Sequence, residues 1–487
     1  MKSGFRVALF IPDGVALRNF VLGRFLEELA PEAEVDLYHN LPPHLADQYA
    51  AATPEKVTWQ PILEYSQSRA VSMLQSCLAY AHMYWANTHS MRRAVSRPVR
   101  APLKTQMLVQ SCRLVGRMSA DPRRIEWMDA LHFSLVRRRQ EVDAYKRLFD
   151  KTKPSVVFSG CQRPFSVLPA ILAAKELGIP TATFIVSWDN LSSKGRIVAP
   201  YDHYLVWSAN MRRELLQYCP HVTPANVHIV GTPQFDPYAD PKLRWDRAEF
   251  FRRIGGDPER PLICFSGGDA GTCPEDPEHV RILLEMIRAR KIRGNPQVLV
   301  RPSPVDDGAR YDAVRRDFPE LIFLLPNWTH AQPGDWTRVT PSAEDMQFLA
   351  NLVHYSDMNV NLGSTMTLDF GLHDKPVVNV AFDVADPPLF GMPVYDYYYK
   401  YEHFRPVVEF GASRIARKED QLPGCVNAYL ENPALDREGR RRLVDLHVDV
   451  PPGQSSKATV AALLRIGKTK LTDRQPDAVL AGTCPAR

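Results

Sequence analysis

Cysteine is sparse in this sequence and never paired. The 487 residues hold eight cysteines, none in a Cys-x-x-Cys arrangement or beside histidine at metal-ligand spacing. This excludes a disulfide-stapled scaffold and a zinc module, and predicts reduced core thiols in a cytoplasmic protein. Long apolar runs are missing too; none reaches the roughly 20 residues that a membrane-spanning helix needs. The first strand-like run, 5–11, begins almost at once, so no secretory leader is expected. There is no internal repeat, and no low-complexity tract before a polar tail, 467–487, which is predicted to be disordered. Neither sign of charge dominates, with a net charge of only +5. That is too little to argue for a nucleic-acid partner, but it suits an anionic ligand or a peripheral contact with an anionic membrane at the inner face.

What the sequence does have is alternation. Its length predicts two domains, each able to bury its own core. Apolar runs at 6–11 and 35–39 flank a helical pattern at 17–29, a βαβ beginning. From 61 to 150 the pattern is helical, with helices expected at 74–85, 103–118 and 125–149. This insert carries Arg92, Arg93, Arg97, Arg100, Lys104, Arg113, Arg117, Arg123, Arg124 and the run Arg137-Arg138-Arg139. It reads either as a solvated basic face or as a surface for an anionic membrane or acceptor. Strand and helix alternate again from 155 to 236 and, after a charged stretch to 261, on to 466. The expected fold is α/β: two Rossmann-like domains facing a cleft, 1–236 with the insert 61–150, and 237–466.

In open α/β sheets, ligands bind outside the carboxyl ends of the strands. Asp13 follows the first strand and Arg163 the strand at 155–160. The loop after 181–186 is dense in polar groups, with Trp188, Asp189, Asn190, Ser192 and Lys194. In the second half, Ser266-Gly267-Gly268 opens a glycine-rich loop where backbone can approach a phosphate closely. Arg301, Pro302 and Ser303 close the strand at 297–301. The stretch 358–380 reads as strand, Gly363-Ser364-Thr365 turn, helix and strand. Its helix N-terminus suits a phosphate, and Asp369, one turn in, suits a ribose. Plainer readings stand beside these: a hydroxyl cap on an ordinary strand–helix unit, a turn aspartate at Asp13 and a structural cap at Asp189.

Gly267-Gly268, Arg301-Pro302-Ser303-Pro304, the segment 349–357, and Gly363-Ser364-Thr365 through Asp369 with Lys375-Pro376 together resemble GT-B glycosyltransferases. Their relatives, the UDP-N-acetylglucosamine 2-epimerases and CDP-glycerol glycerophosphotransferases, share the pattern. The run 227–233 is similar to the interdomain element of these proteins. The loop 187–195 resembles one in bacterial surface-carbohydrate glycosyltransferases. The resemblance covers nearly the whole chain apart from the insert.

The resemblance implies that Gly363, Ser364 and Thr365 hold a donor diphosphate, with Asp369 on the ribose. Ser266, Gly267 and Gly268 would line the phosphates, and Arg301, beside Ser303, would neutralise the departing nucleotide. The stretch 336–342, with Thr340, would hold the base. Epimerases and glycerophosphotransferases usually carry histidine where Ser303 stands, which favours sugar transfer. No Asp-x-Asp loop is seen, so a metal-independent enzyme is implied, without a cofactor because the nucleotide sugar is itself a substrate. Asp189, or else Asp13, would be the general base of an inverting reaction. Arg163, Trp188, Asn190, Ser192 and Lys194 would face the acceptor. The expected activity is transfer from a UDP-sugar to a hydroxyl of a glycan, lipid-linked or small-molecule acceptor. The alternatives are a UDP-sugar 2-epimerase, a CDP-glycerol-type polyol-phosphate transferase, and a non-catalytic scaffold for a membrane or partner.

Overall fold

The computed structural model describes residues 4–99, 101–330, 339–388 and 391–469. It divides the chain into two compact units, residues 1–233 with 449–487, and residues 234–448.

The first unit is built on seven strands: β1 (Arg6–Ile11), β2 (Glu34–His39), β3 (Val57–Pro61), β4 (Val156–Ser159), β5 (Thr181–Phe184), β6 (His203–Val206) and β7 (Val227–Ile229). All pair in parallel, in the order β3-β2-β1-β4-β5-β6-β7. Val7, Ala8, Leu9 and Phe10 are fully buried, as expected of a parallel strand covered on both faces. β3 is absent from the sequence expectation because its run is only half-buried and ends in proline, the mark of an edge strand.

Among its described residues the insert contains five helices where three were expected: Arg69–Ala86, His89–Ser96, Leu103–Met118, Pro122–Arg137 and Gln140–Thr152. The helix expected over 125–149 is two, because the backbone goes extended at Arg139. The insert has a core of its own, with Cys77, Leu78 and Ala81 against Cys112, Ile125 and Met128. Gly116 permits the close crossing of the helices Leu103–Met118 and Arg69–Ala86. A Cβ there would lie 2.5 Å from Tyr80 Cβ and 2.9 Å from the Ala81 nitrogen.

The second unit holds β8 (Leu262–Ser266), β9 (Gln297–Arg301), β10 (Ile322–Phe323), β11 (Trp328–His330), β12 (Val339–Pro341), β13 (Met358–Asn361), β14 (Val377–Val380) and β15 (Arg414–Ala416). Six of them form a parallel sheet in the order β10-β9-β8-β13-β14-β15, while β11 and β12 make an antiparallel pair. Both units therefore wind in the same doubly wound, Rossmann-like way.

One boundary differs from expectation. The segment 449–469 belongs to the first unit. Asp449 Oδ2 accepts a hydrogen bond from the Ala209 nitrogen at 2.9 Å. The helix Ser455–Lys468 buries Val460, Leu463 and Ile466, and its Gly467 backs onto Phe5 and the Ser155 carbonyl. Its apolar stripe needs a partner face and finds it on the first sheet's cover. The tail expected from 467 thus begins inside a helix, and 470–487 lie outside the described residues. Among the described residues, no helix is long and apolar enough to cross a membrane.

Candidate functional site

Strand order selects the site. In the first unit the chain leaves β1 toward β2 on one side, while β4 continues on the other. In the second unit β8 and β13 part in the same manner. A crevice opens beyond the carboxyl ends of such a strand pair. The loops there are Pro12-Asp13 and 160–163 in the first unit, and 266–268 and 363–365 in the second.

In the second unit a ladder of buried asparagines shapes the crevice. Asn359, Asn361 and Asn379 have no solvent exposure. Asn359 Nδ2 donates to Ser266 Oγ at 2.6 Å, and Asn361 Nδ2 to Asn359 Oδ1 at 2.7 Å. Asn361 Oδ1 accepts from Asn379 Nδ2 at 2.9 Å and from the Ser364 nitrogen at 2.8 Å. Ser413 Oγ closes the chain on Asn379 Oδ1 at 2.5 Å. The ladder crosses three strands, ends at Ser413 just before β15, and pins the turn 363–365, where Gly363 takes the left-handed φ of +75°. Sequence reasoning missed it, although asparagine at alternate positions of an apolar strand is a usable signal, since β-strands disfavour it.

The glycine loop is closed from within. The Gly267 nitrogen donates to the Arg301 carbonyl at 3.0 Å, and the Gly268 nitrogen to Asp276 Oδ2 at 2.7 Å. Arg310 holds the Gly268 carbonyl at 2.8 Å and Asp306 at 2.6 Å. Burial pushes the Asp276 carboxyl up to about 7 against the pull of Arg310. A Cβ at Gly267 would meet Tyr311 Oη at 2.5 Å, and one at Gly268 would meet Cys273 Sγ at 2.5 Å. Packing therefore demands both glycines, and their amides are engaged inside the unit.

Ser266, Arg301, Ser303 and Thr340 are buried beneath this edge. Arg301 Nη2 donates to both oxygens of Asp345, at 3.0 and 2.8 Å. Asp345 also accepts from the Asn327 nitrogen at 2.9 Å and from Trp328 Nε1 at 2.8 Å. Arg301 Nη1 meets no hydrogen-bond partner among the described residues. Asp369 is buried as well, and one carboxylate oxygen accepts the hydroxyl of Tyr238. A ribose there would have to compete with that phenol. The residues that reach the surface at the crevice are Gly267, Gly268, Gly363, Ser364 and the exposed Thr365. Of the stretch expected to hold the base, Trp336, Thr337 and Arg338 lie outside the described residues.

In the first unit Asp13 caps the helix Gly14–Phe20, its Oδ1 accepting from the Ala16 nitrogen at 2.8 Å. It stands by Cys161 and Arg163, across from the carboxyl end of β4, and desolvation raises its carboxyl above the ordinary value. Asp189 is placed differently. Its carboxylate accepts from Ser187 Oγ at 2.6 Å, Asn190 Nδ2 at 3.0 Å and Ser193 Oγ at 2.8 Å, with Lys194 Nζ at 3.6 Å. The dense polar loop turns inward on Asp189 as its hub.

The acceptor-side expectation needs correcting for three residues. Trp188, Asn190 and Ser192 are buried. Asn190 Oδ1 binds Gln162 Nε2 at 2.7 Å, and the Ser192 carbonyl accepts from Thr88 Oγ1 at 2.7 Å and Ser90 Oγ at 2.6 Å. The insert covers this loop, so only Arg163 and Lys194 of the five stand exposed. A cavity of about 320 Å³ in the same unit lies elsewhere, lined by Asp202 and Asn226, which stand just before β6 and β7. Two of its charge pairs are internal, Arg196 on Asp129 and Lys175 Nζ 2.8 Å from Asp202.

No family model matches the chain, and no curated protein does. Solved structures do. One is a UDP-N-acetylglucosamine 2-epimerase, 13% identical, with a TM-score of 0.52 over 98% of this chain and 99% of that one. Another, from Neisseria meningitidis and bound to UDP-GlcNAc, is 10% identical, with a TM-score of 0.53 over 95% of this chain and 100% of that one. A third, from Methanocaldococcus jannaschii, is 10% identical, with a TM-score of 0.51 over 95% and 99%. The likeness is one of fold: the chain has the two-domain α/β architecture of the GT-B relatives.

Proposed function

We propose that the chain is a glycosyltransferase that takes its sugar from a nucleotide diphosphate donor, most simply a UDP-sugar. The observation that carries this is the meeting of the two second-unit loops, 266–268 and 363–365, at the carboxyl ends of β8 and β13. The donor diphosphate rests on the rim of Gly363, Ser364 and Thr365, with Gly267 and Gly268 opposite. Arg301, anchored by Asp345 beneath this rim, sets a fixed positive charge under the negative charge that grows on the leaving nucleotide. Fixed dipoles and this guanidinium take the part of a metal, and no cofactor is needed.

Asp13 is the better general base. Its carboxyl is raised toward the operating range of such a group, while the carboxylate of Asp189 is engaged by its own loop. It removes the proton of an acceptor hydroxyl, the oxygen attacks the anomeric carbon, and the nucleoside diphosphate leaves with inversion. Arg163 and Lys194 are the exposed cations on that side for an acceptor bearing negative charge. A 2-epimerase is the second reading, favoured by the fold of the neighbours, and proton NMR of the products separates them: an epimerase transfers nothing to an acceptor.

The first test is a thermal-shift series with UDP, GDP, CDP, TDP and ADP on wild type and Thr365→Glu. Thr365 is an exposed N-cap, so glutamate there leaves the fold stable but repels a diphosphate. Wild type gains melting temperature with one diphosphate, and the variant requires about tenfold more of it or shows no shift. No shift of the wild type with any of the five sinks the glycosyltransferase and leaves a non-catalytic scaffold.

A further inference from the structure

The helical insert wears its apolar side chains on the outside. Of the ten large apolar side chains that stand most exposed among the described residues, nine lie on the insert and one, Leu325, elsewhere. Single exposed leucines need no explanation, but a contiguous set does.

The pattern is ordered. At about 100° per residue, Leu103, Met107, Leu114 and Met118 fall within an arc of roughly 60° on the helix Leu103–Met118. They are 71%, 63%, 62% and 65% exposed. The opposite arc holds Cys112 and Gly116, the buried edge that packs on Tyr80 and Ala81. The helix is thus held by a narrow strip of small residues and turns its apolar ridge outward. The next helix, Pro122–Arg137, packs on the same helix Arg69–Ala86 and carries its own Trp127, 67% exposed, with Leu131 one turn on.

Cations outnumber acids around this ridge, where the exposed acids are Asp121 and Glu126. Lys104, Arg117, Arg123 and Arg124 are exposed around it, and the helix Leu103–Met118 has no acidic residue. Of the nearby acids, Asp121 is occupied in capping the following helix, where it accepts from the Arg123 and Arg124 nitrogens. An apolar ridge with tryptophan, set among cations, matches a lipid surface: apolar groups enter the acyl boundary, tryptophan sits at the headgroup level and cations meet lipid phosphates.

We propose that this face of the insert docks the protein on an anionic lipid surface. Leu103, Met107, Leu114, Met118 and Trp127 are its apolar contacts, and Lys104, Arg117, Arg123 and Arg124 its electrostatic ones. The docking does not depend on which reaction the protein catalyses.

Flotation of the full chain with lipid vesicles tests it. One set of vesicles is phosphatidylcholine alone; the other is enriched in phosphatidylglycerol. The protein floats with the anionic set, and high salt weakens the association. Two variants are compared, Met107→Ser with Leu114→Ser, and Lys104→Gln with Arg117→Gln and Arg123→Gln. All five side chains are solvent-facing, so both variants keep the wild-type melting temperature. Removing three cations lowers partitioning on the order of 100-fold, and the two serines lower it at least as far. The proposal is overturned if wild type stays with the soluble fraction or floats equally with neutral vesicles. It is also overturned if either variant floats as well as wild type. A self-association in solution that the serine variant abolishes, without vesicle binding, assigns the face to a second copy of the chain instead.

Discussion

A carboxylate can brace a loop or wait for a proton, and its surroundings decide which. Asp189 accepts three side-chain hydrogen bonds inside its own loop, whereas Asp13 is held by the Ala16 and Val15 nitrogens and the Cys161 thiol and sits where desolvation disfavours its charge. Asp189→Ala removes the hub of that loop and lowers stability by about 2–3 kcal/mol at about 1 kcal/mol per bond, read from urea unfolding. Asp13→Asn keeps a good helix cap. The folded-state value of Asp13 lies above its ordinary value of 3.8, so ionisation is penalised in the fold. Stability from this group is full below 3.8 and declines as pH rises through the raised value, and Asp13→Asn abolishes that decline. The same variant loses transfer activity by about 100-fold or more, the share of a general base. Retention of full activity would remove Asp13 from the mechanism.

At the level of elements, the site rests on strands more than on the short helix beside it. The helix Met366–Leu372 is two turns long and its N-cap makes no side-chain cap bond. The turn before it is held by Asn361, which links the Ser364 nitrogen to Asn379 on the next strand. Asn361→Ala takes the acceptor from the Ser364 nitrogen, leaves Asn379 Nδ2 only Thr367 Oγ1 at 3.4 Å, and costs about 2–4 kcal/mol. Nucleotide-induced stabilisation falls with it, because the turn is no longer pinned. Calorimetry of the free and nucleotide-bound variant checks both parts. Element existence was legible where local pattern is strong: Gln297–Arg301, Val377–Val380 and Leu103–Met118 lie where the apolar runs place them. The edge strands β3 and β15 were not legible, since three to five half-buried residues carry too few alternations to stand out.

Across the whole molecule, burial has gathered histidines that cannot take up protons. Burial lowers His82 and His447 to about 3, helped by Arg196 at His82 and by His403 at His447. Burial likewise lowers His132, His228 and His279 to about 4. In the unfolded chain each titrates near 6.5. Stability from these groups is therefore complete above 6.5 and lost as pH falls from there toward 4, by about 1 kcal/mol per histidine per pH unit once below 6.5. The urea midpoint is expected to drop steeply between pH 7 and pH 5, and an unchanged midpoint contradicts the burial of these rings.

The sequence by itself determined the two doubly wound sheets and the loops at their carboxyl edges. A parallel strand buried on both faces must be a near-continuous apolar run, and such a run is visible one residue at a time. Tertiary structure alone decided which polar residues of those loops face solvent. Ser192 is closed off by Thr88 and Ser90, more than a hundred residues earlier, and Asp369 by Tyr238. It also decided that the helix Ser455–Lys468 returns to the first unit, and that the insert turns its apolar ridge outward. The reason is common to all of these: a side chain's environment is set by partners far away in sequence, and no local pattern contains them.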